Sequence, residues 1–170
     1  MLTIPEAIHQ MSVNAEALRV LLQSISAEQA AWKPDPQTWS FAEVAGHLYV
    51  EELGDFRCHL REVLHNPPLA WGALQPGPVA FRGFDLDLGG FLTERQSSIA
   101  WLSSLPAVAW DAAITASFGP ASERVTFTAG DLLAAWVAHD FLHIRQVNEL
   151  HFAWNAHRAA PYGVRYAGDW

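Results

Sequence analysis

The segment from Asp131 to Trp154 constrains the fold most. Thr128 and Asp131 cap it as a helix start, and Leu132, Trp136, His139, His143, Gln146 and Leu150 then recur at helical spacing along one inner stripe. Two polar rings, His139 and His143, fall within that apolar stripe. Four positions apart on a helix, they project from one face roughly one 5.4 Å turn apart, close enough to share a metal ion. A stable site needs at least a third ligand, and the HExxH form with its internal glutamate is absent.

Other helices surround this one in the sequence. Thr3 and Glu6 form a capping box with Pro5 in the first turn, and Ile4, Ile8, Met11, Ala15, Leu18, Leu22 and Ile25 follow at spacings of four and three. Ser26 and Gln29 open a short helical turn near Trp32, which Lys33-Pro34-Asp35-Pro36 terminates. Ser40 and Glu43 cap the next helix, expected to run to about Leu64 with Phe41, Ala45, Leu48, Phe56 and Val63 at its apolar centre. Val44, His47, Glu51 and Gly54 share one flank of it, so His47 is the natural third ligand, delivered from a second helix. The Pro/Gly-rich stretch from Asn66 to Gly83 is long for a tight antiparallel connection and suggests a crossover, with the second and third helices parallel. The third helix starts between Asp85 and Leu88, carries Leu88, Leu92, Ile99 and Leu102 inward, and ends at Leu105-Pro106. Ile114, Ala116 and Phe118, a turn at Gly119-Pro120, then Val125 and Phe127, predict a small hairpin before the last helix. The tail beyond Trp154, with Tyr162, Tyr166 and Trp170, is expected to dock on the bundle or on a partner subunit.

Composition narrows the function. One domain over residues 1–170 is expected, since 170 residues can bury a real core and nothing divides the chain. A net charge of -8, with 10 basic residues facing 18 acids, disfavours a nucleic-acid partner. The longest uncharged run, Val63 to Phe81, is broken by prolines and glycines and is no membrane span; no signal peptide is evident. The single cysteine, Cys58, cannot pair within the chain, so a reducing, cytoplasmic setting is the default. The last helix is apolar on a second side through Ala134, Val137, Phe141 and Ile144, which predicts a homodimer.

His47, His139 and His143 would leave a divalent ion at least one open position, the mark of a catalytic rather than a structural site. Such an ion favours a hydroxide or thiolate nucleophile, so hydrolysis and thiol transfer both fit. The competing reading is a set of buried histidines satisfied by hydrogen bonds; an i,i+4 pair with a third histidine available favours metal. Glu51, one turn beyond His47, is a candidate general base, ligand-orienting group, occasional ligand or solvated carboxylate beside Glu52 and Asp55. Gln146, one turn beyond His143, either bonds a bound water or substrate or simply ends the stripe. Asp140 lies about 100° off the ligand face and is expected to be exposed. Cys58 sits about 16 Å along the helix from His47, too far to join the site, and reads as buried filler. His9, His59, His65, His151 and His157 read as surface or structural, while Trp32 and Trp39 flank the start of the His47 helix as possible cavity walls.

The stretch Trp39-Ser40-Phe41-Ala42-Glu43-Val44-Ala45-Gly46-His47-Leu48 resembles the W-S-x-x-E-x-x-x-H-L signature of the DinB/YfiT-like superfamily, and His139 to Gln146 resembles its H-x-x-x-H-x-x-Q signature. The resemblance implies an all-α, four-helix bundle of up-down-down-up topology with a long crossover, often dimeric. It also implies a divalent ion, zinc or nickel, held at the positions of His47, His139 and His143. Relatives of this kind include transferases and isomerases that use low-molecular-weight thiols such as bacillithiol or mycothiol, and metal-dependent hydrolases. A small electrophilic substrate is therefore expected; the alternative is a non-catalytic metal or small-molecule binding module. Glu51 and Gln146 match positions whose roles vary among such proteins.

Overall fold

The structure, a computed structural model, describes residues 2–117 and 123–168. It is mostly helical. Helices α1 (Ile4–Leu22), α2 (Ala27–Ala31), α3 (Phe41–Gly54), α4 (Phe56–Leu64), α5 (Phe84–Ser104) and α6 (Ala129–Arg158) are accompanied by one hairpin, β1 (Ala113–Ser117) with β2 (Arg124–Thr128).

Local chemistry sets the helix starts. Thr3, Ser40 and Thr128 each accept from the backbone N–H three residues on, while Glu6, Glu43 and Asp131 return a carboxylate to the cap N–H; these are the three expected capping boxes. Ser26 caps α2 through the N–H of Gln29. Helix α5 begins at Phe84, one residue before the expected window, and ends at Ser104 ahead of Leu105-Pro106. In the antiparallel hairpin Ile114 faces Phe127 and Ala116 faces Val125, and buried Ile114 and Ala116 turn toward the core. Phe118, the Gly119-Pro120 turn and Trp170 lie outside the described residues.

The helix expected from Ser40 to Leu64 is interrupted at Asp55, whose φ of -112° and ψ of -95° end α3 and start α4. Gly54 is a weak helix former at the break. The break lets Phe56 stack on Trp136, with centroids 6.0 Å apart, and lie 5.0 Å from the His139 ring.

Helix α3 packs chiefly on α5, α6 on α1, and α1 on α5, while direct contact between α3 and α6 is sparse. One core cluster gathers Met11, Leu60, Leu102, Leu133 and Trp136; the other gathers Leu18, Phe41, Leu48, Phe91 and Val147. The crossover is fastened to the helices. The buried Glu62 carboxylate accepts from Gly72 N at 3.0 Å, Leu74 N at 2.6 Å and His59 Nδ1 at 2.7 Å, and Trp71 stacks on His59 at 3.5 Å. Further on, Phe81 lies against Gly46, where a Cβ would meet its ring at 2.6 Å.

Two expectations about surfaces need correction. Tyr162 and Tyr166 are 80% and 105% exposed, so these rings do not dock on their own bundle. On the supposed second apolar side of α6, Val137 is buried within the core and Ile144 is half-buried, leaving Phe141 and Ala134 on the surface. A wide arc of α6 is covered because it meets α1 as well as α4 and α3.

Candidate metal centre

His47 projects from the second turn of α3, and His139 and His143 from successive turns of α6. Their imidazoles converge: His139 Nε2 is 3.4 Å from His47 Nε2 and 3.1 Å from His143 Nε2. One ligand atom from each ring lies within 4.8 Å of the others, so the three can hold a metal ion. Nitrogen donors bound at zinc-like distances in a tetrahedron stand about 3.4 Å apart, close to the spacing found.

The protonation pattern also fits a cation. Gln146 Oε1 lies 2.8 Å from His143 Nδ1, which donates to it and leaves the Nε2 lone pair facing the cluster. Burial, reinforced by His143, pushes His47 down to about 4. Burial, then the neighbouring His143, His47 and Arg95, pushes His139 down to about 3. Burial also lowers His143, against the opposing pull of Gln146 and Asp140. All three rings are therefore held neutral near pH 7, the form that donates to a metal. Neutral imidazoles with facing lone pairs repel; a cation among them removes that conflict.

Glu51 Oε1 is 3.6 Å from His47 Nδ1. Burial, with a smaller contribution from Asp55, raises its carboxyl to about 7. Trp39, 40% exposed, meets His47 edge-on at 5.0 Å, whereas Trp32 turns away to Trp154 and His157. Cys58 is buried, 3.7 Å from the Leu53 carbonyl, and is not part of the cluster. Among the other histidines, His59 is held by Glu62 and Gln75, and His151 donates to the Leu21 carbonyl and accepts from Gln29.

The structure overturns the reading of Asp140 as exposed. Its carboxylate is fully buried, with Oδ2 2.6 Å from Arg95 Nη1 and Oδ1 2.8 Å from Arg95 Nη2. Glu52, the residue after Glu51, is also buried, 2.8 Å from Arg95 Nη2, and accepts from Trp136 Nε1 at 3.1 Å. Asn14 donates to Asp140 at 3.3 Å. No local pattern announces this network, because its members come from α1, α3, α5 and α6.

A helical chain whose two principal motifs bring three neutral histidines to one point defines a candidate metal-binding helical protein. A family model of the DinB superfamily matches residues 10–147, and the chain belongs to that superfamily. No curated protein matches the sequence significantly.

Proposed function

We propose that the chain is a divalent-metal-dependent enzyme that transfers a low-molecular-weight thiol to, or hydrolyses, a small electrophilic substrate. His47, His139 and His143 serve as the ligands, and zinc or nickel is the favoured ion. The observation that carries this reading is the convergence of three Nε2 atoms at 3.1 and 3.4 Å. A bound divalent ion supplies Lewis acidity that favours the deprotonated form of a thiol or water. Gln146 fixes the His143 ring through Nδ1, and Glu51, 3.6 Å from His47 Nδ1, is the carboxylate placed to accept or return a proton during turnover. Exposed Trp39 forms an apolar wall beside His47.

The scaffold is taken as a single-domain four-helix bundle of up-down-down-up sense. Pairings of Asn14 with Asp140 and Leu21 with His151 support α1 parallel to α6. Phe41 against His151 and Glu52 against Trp136 support α3 antiparallel to α6. Tyr49 beside Gly90 and Glu52 beside Arg95 support α3 parallel to α5, as the crossover requires. A homodimer through Phe141 and Leu142, 50% and 54% exposed on α6, is the favoured assembly. The unpaired Cys58 favours the cytoplasm, and among the described residues no helix is long and apolar enough to cross a membrane.

Elemental analysis of protein purified without chelator or a polyhistidine tag tests the site, with one divalent ion per chain expected. The loaded protein is then assayed with a panel of low-molecular-weight thiols against a chlorinated dinitrobenzene, and with esters. Turnover that disappears in His143→Ala supports the enzyme. Tight metal retention without turnover on any of these substrates points to the binding module, and failure to load any ion ends both readings.

A further inference from the structure

The histidines sit on two helices whose backbones come close at few points, joined directly by side chains such as Trp136 Nε1 donating to Glu52 at 3.1 Å. Helix α3 is packed on α5, and α6 on α1 and on α4, the helix that continues α3, so the His47 backbone is tied to the His139 backbone by way of α5, α1 and α4. Arg95 of α5 spans this gap. Its Nη2 is 2.8 Å from Glu52 of α3 and 2.8 Å from Asp140 of α6, while Nη1 reaches Asp140 at 2.6 Å and the Met11 carbonyl of α1 at 3.4 Å. Glu52 lies five residues after His47, and Asp140 directly follows His139. Arg95, Glu52 and Asp140 are each at most 2% exposed.

We propose that Arg95 is a positioning residue whose guanidinium locks α3 and α6 in the register at which His47 meets His139 and His143. The metal readout rests on the function proposed above. The planar fork bonds Asp140 at two points and holds Glu52 as an ion pair, whereas an ammonium is a point charge without that geometry, so the register depends on arginine and not on charge alone. A buried ionic group tends to destabilise relative to apolar packing but can specify one arrangement of the elements around it.

Arg95→Lys, which keeps the charge, is compared with Leu22→Ala, a core truncation on α1 chosen to lower the melting temperature without touching the network. Each protein is loaded with cobalt, its visible absorption is recorded, and zinc affinity is measured by competition with a chromophoric chelator. Amide hydrogen exchange is followed in the metal-free proteins. Arg95→Lys is expected to weaken zinc by about 10–100-fold, to change the cobalt bands, and to speed exchange in α3 and α6 around the histidines. Leu22→Ala is expected to melt earlier with its cobalt spectrum intact. A folded Arg95→Lys protein with unchanged spectrum, affinity and exchange overturns the proposal, as does a Leu22→Ala protein that shows the same spectral change. If the unaltered protein binds no metal, the enzyme reading fails by itself. The positioning role then stands or falls on whether exchange quickens selectively in α3 and α6. Should Arg95→Lys not fold, Glu52→Gln, which keeps the side-chain shape and an amide oxygen for Trp136 Nε1 but removes the charge facing Arg95, must give the same shifts; unchanged values there overturn the proposal too.

Discussion

His139 Nε2 lies 3.1 Å from His143 Nε2 on the next turn of α6, and the second nitrogen of His143 is tied to Gln146. In the proposed metal site, removing His143 as a ligand and removing Gln146 as its orienting partner differ in size. His143→Ala is expected to lower metal affinity by more than about 100-fold, and Gln146→Ala by about 10–100-fold. Calorimetric titration of chelator-stripped protein measures both; equal, negligible effects contradict the assignment.

Acid weakens the metal-free protein through the same rings. His47 and His139 titrate at about 4 and about 3 in the folded chain against 6.5 for a free ring. Below pH 6.5 the unfolded chain takes up protons that the folded chain refuses, so this stability is present above 6.5 and is lost as pH falls toward 4 and 3. Melting temperatures from pH 7 to pH 4 should fall less steeply in a His47→Asn, His139→Asn double variant than in the parent.

Glu51 acts in the opposite direction. Its carboxyl is raised from 4.5 to about 7, so ionising it costs stability progressively across that window. Glu51→Gln should stabilise the metal-free protein at pH 8 by about 1–3 kcal/mol and have little effect at pH 4. Urea unfolding at the two pH values checks the difference.

The helix carrying His47 depends on its cap. Ser40 accepts from the Glu43 N–H at 3.2 Å, and Glu43 Oε2 accepts from the Ser40 N–H at 2.6 Å. Ser40→Ala is expected to cost about 1 kcal/mol. Denaturant unfolding reads the loss, and Ser40→Asp should recover most of it.

Glu62 fastens the crossover from a fully buried position. Glu62→Ala leaves the Gly72 and Leu74 N–H groups without their acceptor, and is expected to cost about 2–4 kcal/mol. Limited proteolysis should then cut between residues 66 and 83 well before the parent is cut there.

The sequence by itself determined what depends on near neighbours. Thr3, Ser40 and Thr128 read as helix starts because a cap bonds within three residues. His139 and His143 read as a pair because one helical turn brings them together, and the hairpin strands showed in their alternation. Only the tertiary structure decided the rest. A helical wheel gives the direction in which Asp140 points but not what stands there; Arg95, 45 residues away, and Asn14, 126 away, make that direction the interior. Glu52 lies in an acidic run with Glu51 and Asp55, yet Arg95 and Trp136 meet it in the core. Burying a charge is tolerable only with partners in place, and those partners are assembled by the packing of distant helices, which no local spacing encodes.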